Sequence, residues 1–403
     1  MNTNRDWSKL CPDVLRKIFE TLKSPLDSHR AKTVCSDWYA VWKTCKNRPP
    51  CPLRIIHQGE YSSTVEGTAN YFGLFKTFQT GYCMASSGDW LLMVDRRLKF
   101  YILNILTEEK INLPSLESPI RGEQVKFEPG SEWSEEGYLI GPSHKDMVSY
   151  DDTFEWKSST AVMWINDTTR DYVVAWTFKQ LYLFLVKKGE GSWCNLNFNE
   201  NKKQDVVSRL DYKKKLNNGI SLSVLDMACD KSKLYLFTFD HHIKIIDFSG
   251  KEITENPYRN HPFDFVEKEW EFIWKRKIAV RKSGEVLIIL SLKEVLYEER
   301  LLFYVFRMNL ESFKWERVYS IRNEMLVFGQ GVTIGLSLKD LGDGIKSDTI
   351  YFVDDDVWED HRDHDHRVSD CGVFDIATSR IEWPEKFCIE INSTQWFASG
   401  VAY

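Results

Sequence analysis

The stretch with the densest chemical functionality is Asp354-Asp355-Asp356-Val357-Trp358-Glu359-Asp360-His361-Arg362-Asp363-His364-Asp365-His366. Imidazoles at 361, 364 and 366 among carboxylates are the donor types of a transition-metal site. Arg362 and Arg367 interrupt the run, however, and no apolar residues frame it to make the ligands converge. The reading is a solvated insertion between two strands, with no metal and no cofactor. A second chemistry, glycoside hydrolysis by paired carboxylates, needs two of them fixed on either side of a bond. Nothing in the spacing of the many Asp and Glu pins two to one place. No Gly-x-Ser-x-Gly elbow, phosphate loop or His-Glu-x-x-His helix occurs, and the Gly-x-Gly pairs at 189–191 and 329–331 read as turns. No catalytic residue is expected, and the chain reads as a non-enzyme. The basic run Lys213-Lys214-Lys215, with Lys202, Lys203 and Arg209 nearby, carries one aromatic, Tyr212, and reads as a solvated loop.

Charge narrows the partners. Residues 1–50 hold ten Lys and Arg against five Asp and Glu, or +5, and the remainder holds 43 against 54, or −11. A body of that sign is a poor partner for phosphate backbones, so nucleic acid is not expected. A small basic head points to a partner of its own. No apolar run reaches the ~18 residues of a membrane span, and the first residues lack the apolar segment of a signal peptide. Nine cysteines without Cys-x-x-Cys spacing fit a reducing compartment, so an intracellular protein with unused sequons at Asn166 and Asn392 is expected.

The elements that would carry a binding surface change character near residue 49. Pro12 suits a first helical position, Asp13 the positive end of the helix dipole, and Leu15, Ile18, Phe19 and Leu22 make one apolar stripe. Ser24-Pro25 breaks the helix, a second is expected with Asp27 as its cap, and a third carries Cys35, Trp38, Tyr39, Val41 and Trp42. Pro49, Pro50 and Pro52 then end helical structure. Beyond them come short runs of aromatic and β-branched residues, among them Trp90–Asp95, Phe100–Asn104, Tyr172–Phe178, 181–186, 233–239, 243–248, 277–281, 286–290, 302–308, 332–338, Thr349–Val353 and 372–376. A strand ending in Asn or Asp, a polar turn and a further apolar or Trp residue recur at Asn104, Asp247, Asn309 and Asp375, with a looser instance at 185–193. From 186 onward the spacing is about 60 to 66 residues, long for a propeller blade and compatible with insertions. The expectation is an all-β propeller of five or six blades, with a pair of β-sandwiches as the alternative. Residues 53–56 are expected to pair with 387–391 to close it, and Trp90, Trp193, Trp315 and Trp383 to be core.

The head residues Trp7, Leu10, Pro12, Asp13, Leu15, Ile18, Phe19 and Leu22, followed by Asp27, Arg30, Val34, Cys35 and Trp38, resemble an F-box. The usual Leu-Pro pair is Leu10-Cys11 here, with the proline one place later. The resemblance implies docking on the Skp-type adaptor of a cullin–RING ubiquitin ligase. Leu10, Pro12, Leu15, Ile18, Phe19 and Leu22 would supply the adaptor contact, and Val34, Cys35 and Trp38 the head's own core. The body resembles the KIB-type, kelch-like propeller of a large plant F-box family. The resemblance rests on Ala85-Ser86-Ser87-Gly88-Asp89-Trp90, Lys233-Leu234-Tyr235, Ser283-Gly284-Glu285-Val286-Leu287, Phe313-x-Trp315, Ile350-Tyr351-Phe352-x-Asp354-Asp355 and Gly372-Val373-Phe374-Asp375, in that order. It implies an F-box over residues 5–48 and a propeller over 49–403. The implied function is that of a non-catalytic substrate receptor, with a protein target and no membrane partner. The alternative is a propeller that blocks a partner, such as a kinase, without degrading it.

Overall fold

Proline placement and apolar spacing set the head. Helix α1 runs over Pro12–Thr21, α2 over Pro25–Lys32 and α3 over Ser36–Thr44, after a 3-10 turn at Trp7–Lys9. Pro12 opens α1, where its missing N–H leaves no bond unmade. That placement is the physical content of the shifted proline: Cys11 becomes the residue before the helix, exposed and with no side-chain cap bond. Helix α2 starts at Pro25, two residues ahead of the expected Asp27 cap, for the same proline reason. The computed structural model describes residues 7–22, 25–45, 53–57, 81–95, 99–104, 107–115, 117–120, 123–129, 136–140, 153–155, 160–178, 182–195, 224–250, 254–256, 260–281, 283–294, 300–309, 311–329, 334–337, 346–353, 371–385 and 393–397.

The body opens with β1 (Leu53–His57) and continues as antiparallel meanders of four strands. The first is β2 (Gly81–Ser87), β3 (Trp90–Asp95), β4 (Phe100–Asn104) and β5 (Lys110–Asn112). The second is β6 (Glu117–Ile120), β7 (Glu123–Pro129), β8 (Glu136–Ile140) and β9 (Thr153–Glu155). The third is β10 (Ala161–Ile165), β11 (Tyr172–Phe178), β12 (Tyr182–Lys187) and β13 (Cys194–Asn195). The fourth is β14 (Val224–Asp230), β15 (Lys233–Thr238), β16 (Ile243–Asp247) and β17 (Thr254–Asn256). The fifth is β18 (Glu271–Val280), β19 (Val286–Glu294), β20 (Arg300–Met308) and β21 (Trp315–Val318). A sixth sheet departs from the pattern. Its β22 (Glu324–Val327) pairs antiparallel with β23 (Ile334–Ser337) and parallel with β24 (Thr349–Val353), which leads to β25 (Cys371–Asp375) and β26 (Arg380–Glu385). Finally β27 (Ser393–Phe397) pairs antiparallel with β1, Leu53 facing Phe397. The two ends of the body therefore meet as expected, with 393–397 as the partner; the residues 387–391 lie outside the described residues.

The leading strands pack side by side: β2 lies against β10, β10 against β14, β14 against β18, and β18 against β23, while β27 lies on the other side of β2. Such a series of small sheets, each leaning on the next through its leading strand, differs from two sheets stacked face to face. The sheet β6–β9 stands outside this series, with β6 beside the last strand of its neighbour, β13.

One turn recurs. At Asn104, Asn166, Asn309 and Asp375 the side-chain oxygen accepts backbone N–H bonds two or three residues on, from Thr107, from Thr168 and Thr169, from Glu311 and Ser312, and from Thr378. The fourth residue on, Glu108, Arg170, Phe313 or Ser379, takes positive φ and donates its N–H back to the Asx carbonyl. Short polar side chains stabilise such loops by local bonds to the backbone. The repeat read from the sequence is thus a hydrogen-bonded hairpin turn, and Asn166 is an instance which that reading missed. Trp90 and Trp193 are fully buried, and Trp315 packs against the core. The side chain of Trp383 lies outside the described residues.

Candidate functional site

The head's core consists of Leu15, Phe19, Trp38, Val41, Trp42 and Cys45, with Leu10, Ile18, Leu22, Ala31, Cys35 and Tyr39 packed around it. Phe19 meets Trp38 edge-on at 5.8 Å between ring centres, and Tyr39 stacks on Trp42 at 5.9 Å. Both tryptophan N–H groups are used. Trp38 donates to the Trp7 carbonyl at 3.0 Å, tying the 3-10 turn to α3, and Trp42 donates to Ser28 Oγ at 3.2 Å, tying α2 to it. Lys32 and Lys43 place their ammonium groups over Trp42 and Tyr39, at 4.6 and 4.5 Å.

This arrangement divides the sequence-derived residues. Leu15 and Phe19, expected at an adaptor contact, are 0% and 3% exposed and hold the head together from within. Leu10, Ile18 and Leu22 are partly buried around them, and Pro12 is exposed. Trp38 belongs to the core, as expected, and Cys35 borders it with its thiol toward the Ser8 carbonyl. Val34 requires a correction: it is 53% exposed. Helix α2 ends at Lys32, and a turn closed by Thr33 and Val34 N–H bonds to the Arg30 and Ala31 carbonyls carries Val34 outward.

The outward apolar residues on this side are Trp7, 61% exposed, and Val14, 46% exposed. Val14 and Ile18 lie one turn apart on α1, beside the core stripe, and Trp7 belongs to the 3-10 turn that precedes the helix. The F-box pattern names Trp7 and Ile18 but not Val14; spacing alone would have found it. The head's described polar link to the body is an exposed pair, Arg30 with Glu108 at 3.1 Å.

The body's described buried carboxylates are engaged structurally. Asp226 on β14 meets Lys277 on β18 at 3.1 Å and accepts the Ile278 N–H at 2.7 Å, bridging two sheets. Burial pushes its carboxyl above the usual range, against the pull of Lys277 and that N–H. Glu271 accepts Tyr304 O–H at 2.7 Å and pairs with Lys268 at 3.0 Å. Burial alone would raise it, but these two donors outweigh burial and hold it below the usual range, while burial and Glu271 push the Tyr304 phenol up to about 12. No group of three or more potential metal ligands occurs among the described residues, and no described helix is long and apolar enough to cross a membrane. The run Asp354–His366, the lysines at 213–215 and Gly331 lie outside the described residues.

Comparison with known proteins adds two findings. The model of the KIB1-4 beta-propeller family matches residues 61–375. An Arabidopsis thaliana chain that carries an F-box name, At2g04810, is 59% identical over 408 residues, covering 100% of this chain and 96% of that one. F-box only protein 7 of Arabidopsis thaliana is 42% identical over 415 residues, again covering 100% of this chain and 96% of the other.

Proposed function

The chain belongs to the KIB1-4 beta-propeller family, and from that premise we propose that it is a substrate-recognition subunit of a Skp–cullin–F-box ubiquitin ligase. The head, residues 5–48, docks on a Skp-type adaptor and through it on cullin and RING subunits. The body, residues 49–403, holds a target protein. It is a propeller of five or six blades, with β2–β5, β10–β13, β14–β17, β18–β21 and β22–β26 as five and β6–β9 as either a sixth or an insertion beside the ring. The chain supplies no reacting group. Its contribution is to turn the meeting of target and charged conjugating enzyme into an event within one assembly, at the raised effective concentration such tethering gives. The complex acts inside the cell, in cytoplasm or nucleus.

The observation that carries this reading is the division of the head's apolar residues. Leu15 and Phe19 close a core, and Trp7 and Val14 are left exposed outside it, with Ile18 partly buried at its edge. Fully burying an exposed side chain such as Val contributes at most roughly 1.5–3 kcal/mol, so covering Trp7 and Val14 favours a partner on this face. Pro12, Leu10 and Leu22 flank it and complete the contact, while Leu15 and Phe19 act by holding the helix in place. The test is co-elution of the full chain with a purified plant Skp-type adaptor. Val14→Glu is expected to abolish co-elution with the thermal midpoint kept, because the side chain is exposed. Unchanged co-elution of that variant, or none with the unmodified chain, overturns the reading.

A further inference from the structure

Among the described residues of the body, the large apolar side chains left exposed are Phe239, Val266, Trp270, Phe272 and Tyr319. Phe239 lies in the β15–β16 turn, and Val266, Trp270, Phe272 and Tyr319 belong to the sheet β18–β21 or to the segments flanking its strands. Single exposed apolar residues are ordinary on any surface, whereas a contiguous group marks an interaction site. Here a row of contacts joins two of them. Lys268 Nζ lies 5.7 Å from the Trp270 ring centre and 3.0 Å from the Glu271 carboxylate. Tyr304 donates to that carboxylate, and the Arg317 guanidinium lies 3.5 Å from the Tyr304 ring centre and 4.9 Å from that of Tyr319. The row runs from exposed Trp270 to exposed Tyr319.

Charge along the row decides what fits it. Glu271 is buried and already answered by Lys268. Arg317 has two tyrosine rings beside it and no carboxylate partner among the described residues. Arg170, Arg276 and Arg281 of the same body are paired, with Glu109, Glu267, and Glu285 and Glu324, while Arg307, Arg322 and Arg380 have no carboxylate partner among the described residues and no ring contact like that of Arg317. Beyond the hydrogen bond that Arg317 makes with the Tyr304 side chain, its guanidinium has further donors to offer a carboxylate, and arginine beside exposed aromatic residues is the composition of an interface hot spot.

We propose that the row from Trp270 to Tyr319 is where the body holds its target. Its occupant is an extended segment of the target protein that carries a carboxylate next to an aliphatic or aromatic side chain. The carboxylate pairs with Arg317, and the neighbouring apolar side chain packs on Tyr319. The proposal rests on the substrate-receptor reading and gives it a residue-level address.

The test uses the full chain and fluorescein-labelled synthetic peptides of twelve residues in which Asp or Glu alternates with Leu or Phe, against matched peptides with Asn and Gln. Fluorescence anisotropy is expected to show the acidic peptides binding about ten-fold more tightly than their amide counterparts. Arg317→Met and Tyr319→Ser are each expected to weaken that binding about ten-fold, the scale of one hot-spot residue. Tyr319 is 56% exposed, so its variant keeps the thermal midpoint even if removing Arg317 disturbs Tyr304. Absence of acidic-peptide binding, equal binding of the amide peptides, or binding indifferent to Tyr319→Ser overturns the proposal. Adaptor co-elution on the same preparations separates the two claims. A chain that co-elutes with the adaptor but takes no acidic peptide overturns this surface alone. A chain that takes the peptide through Arg317 but never meets the adaptor overturns the receptor reading alone.

Discussion

Head and body bury apolar surface by different means. The head closes around six side chains from α1, α3 and the residue after α3, and its polar stitches are two tryptophan N–H bonds. In the body one apolar cluster runs continuously from Ala228 to Ile376, and its sheets are clipped by charge and by tryptophan. Asp226 with Lys277 joins β14 to β18, Arg281 with Glu324 joins the end of β18 to β22, and Trp193 and Trp315 donate to the Pro114 and His261 carbonyls. A unit of about forty residues cannot cover all its apolar surface, so exposure of Trp7 and Val14 follows from size. The body has no such shortage, and its exposed group near Trp270 is local. In the head an uncovered apolar face is general and waits for a partner to complete the unit; in the body it marks one place.

Four kinds of substitution break or sharpen that contrast. Phe19→Ala removes a buried ring from the small core, at about 3–5 kcal/mol, a large share of what a unit this size can hold. Calorimetry is expected to show the head's transition lost and the body's midpoint unmoved; a lowered body midpoint means the two regions fold as one. In the body, Asp226→Ala takes the carboxylate away from buried Lys277, at about 3–5 kcal/mol, whereas Asp226→Leu with Lys277→Met is expected to come close to the unmodified chain. If the double variant is as unstable as the single, packing rather than charge explains the site. Smaller is Gly372→Ala. A methyl there would land in the Phe352 ring, and overpacking of this kind costs about 1–3 kcal/mol. A neutral result in urea unfolding means that the neighbouring strand yields.

Smallest is Tyr304→Phe, and its sign depends on pH. Glu271 is held below the usual range in the folded chain, so it adds stability above the unfolded value of ~4.3, which is lost as pH falls through the folded value. Removing the hydroxyl is expected to cost about 1 kcal/mol at pH 7 and less at pH 3, narrowing the gap between the two conditions. An unchanged gap in urea unfolding means that the pair carries no charge-dependent stability.

Much of this contrast was legible in the sequence. Pro12 and the apolar stripe placed α1, the second and third helices were expected with α2 two residues too late, and Trp90–Asp95, Phe100–Asn104, Tyr172–Phe178 and Thr349–Val353 fall where alternation and β-branched content put them. Two of the leading strands, β2 and β14, were missed for a physical reason. Gly81–Ser87 is built of small residues and Val224–Asp230 contains Asp226, so neither shows the periodicity of a half-buried strand. Neither signals burial until neighbouring sheets close on it. The head's inward and outward residues were also mixed, because the stripe of Leu15, Ile18, Phe19 and Leu22 could face either the head's own core or a partner, and packing puts Leu15 and Phe19 in the core. The Trp270–Tyr319 row was invisible, since residues 268, 271, 304 and 317 meet only through the pairing of β18, β19, β20 and β21.

Hydrogen exchange on the full chain, with and without a purified Skp-type adaptor, tests the separation of the two surfaces most directly. Added protection is expected in residues 7–45, strongest in α1 around Val14, with the amides of β18–β21 unchanged. Protection in the body with the head exchanging as in the free chain would contradict the account.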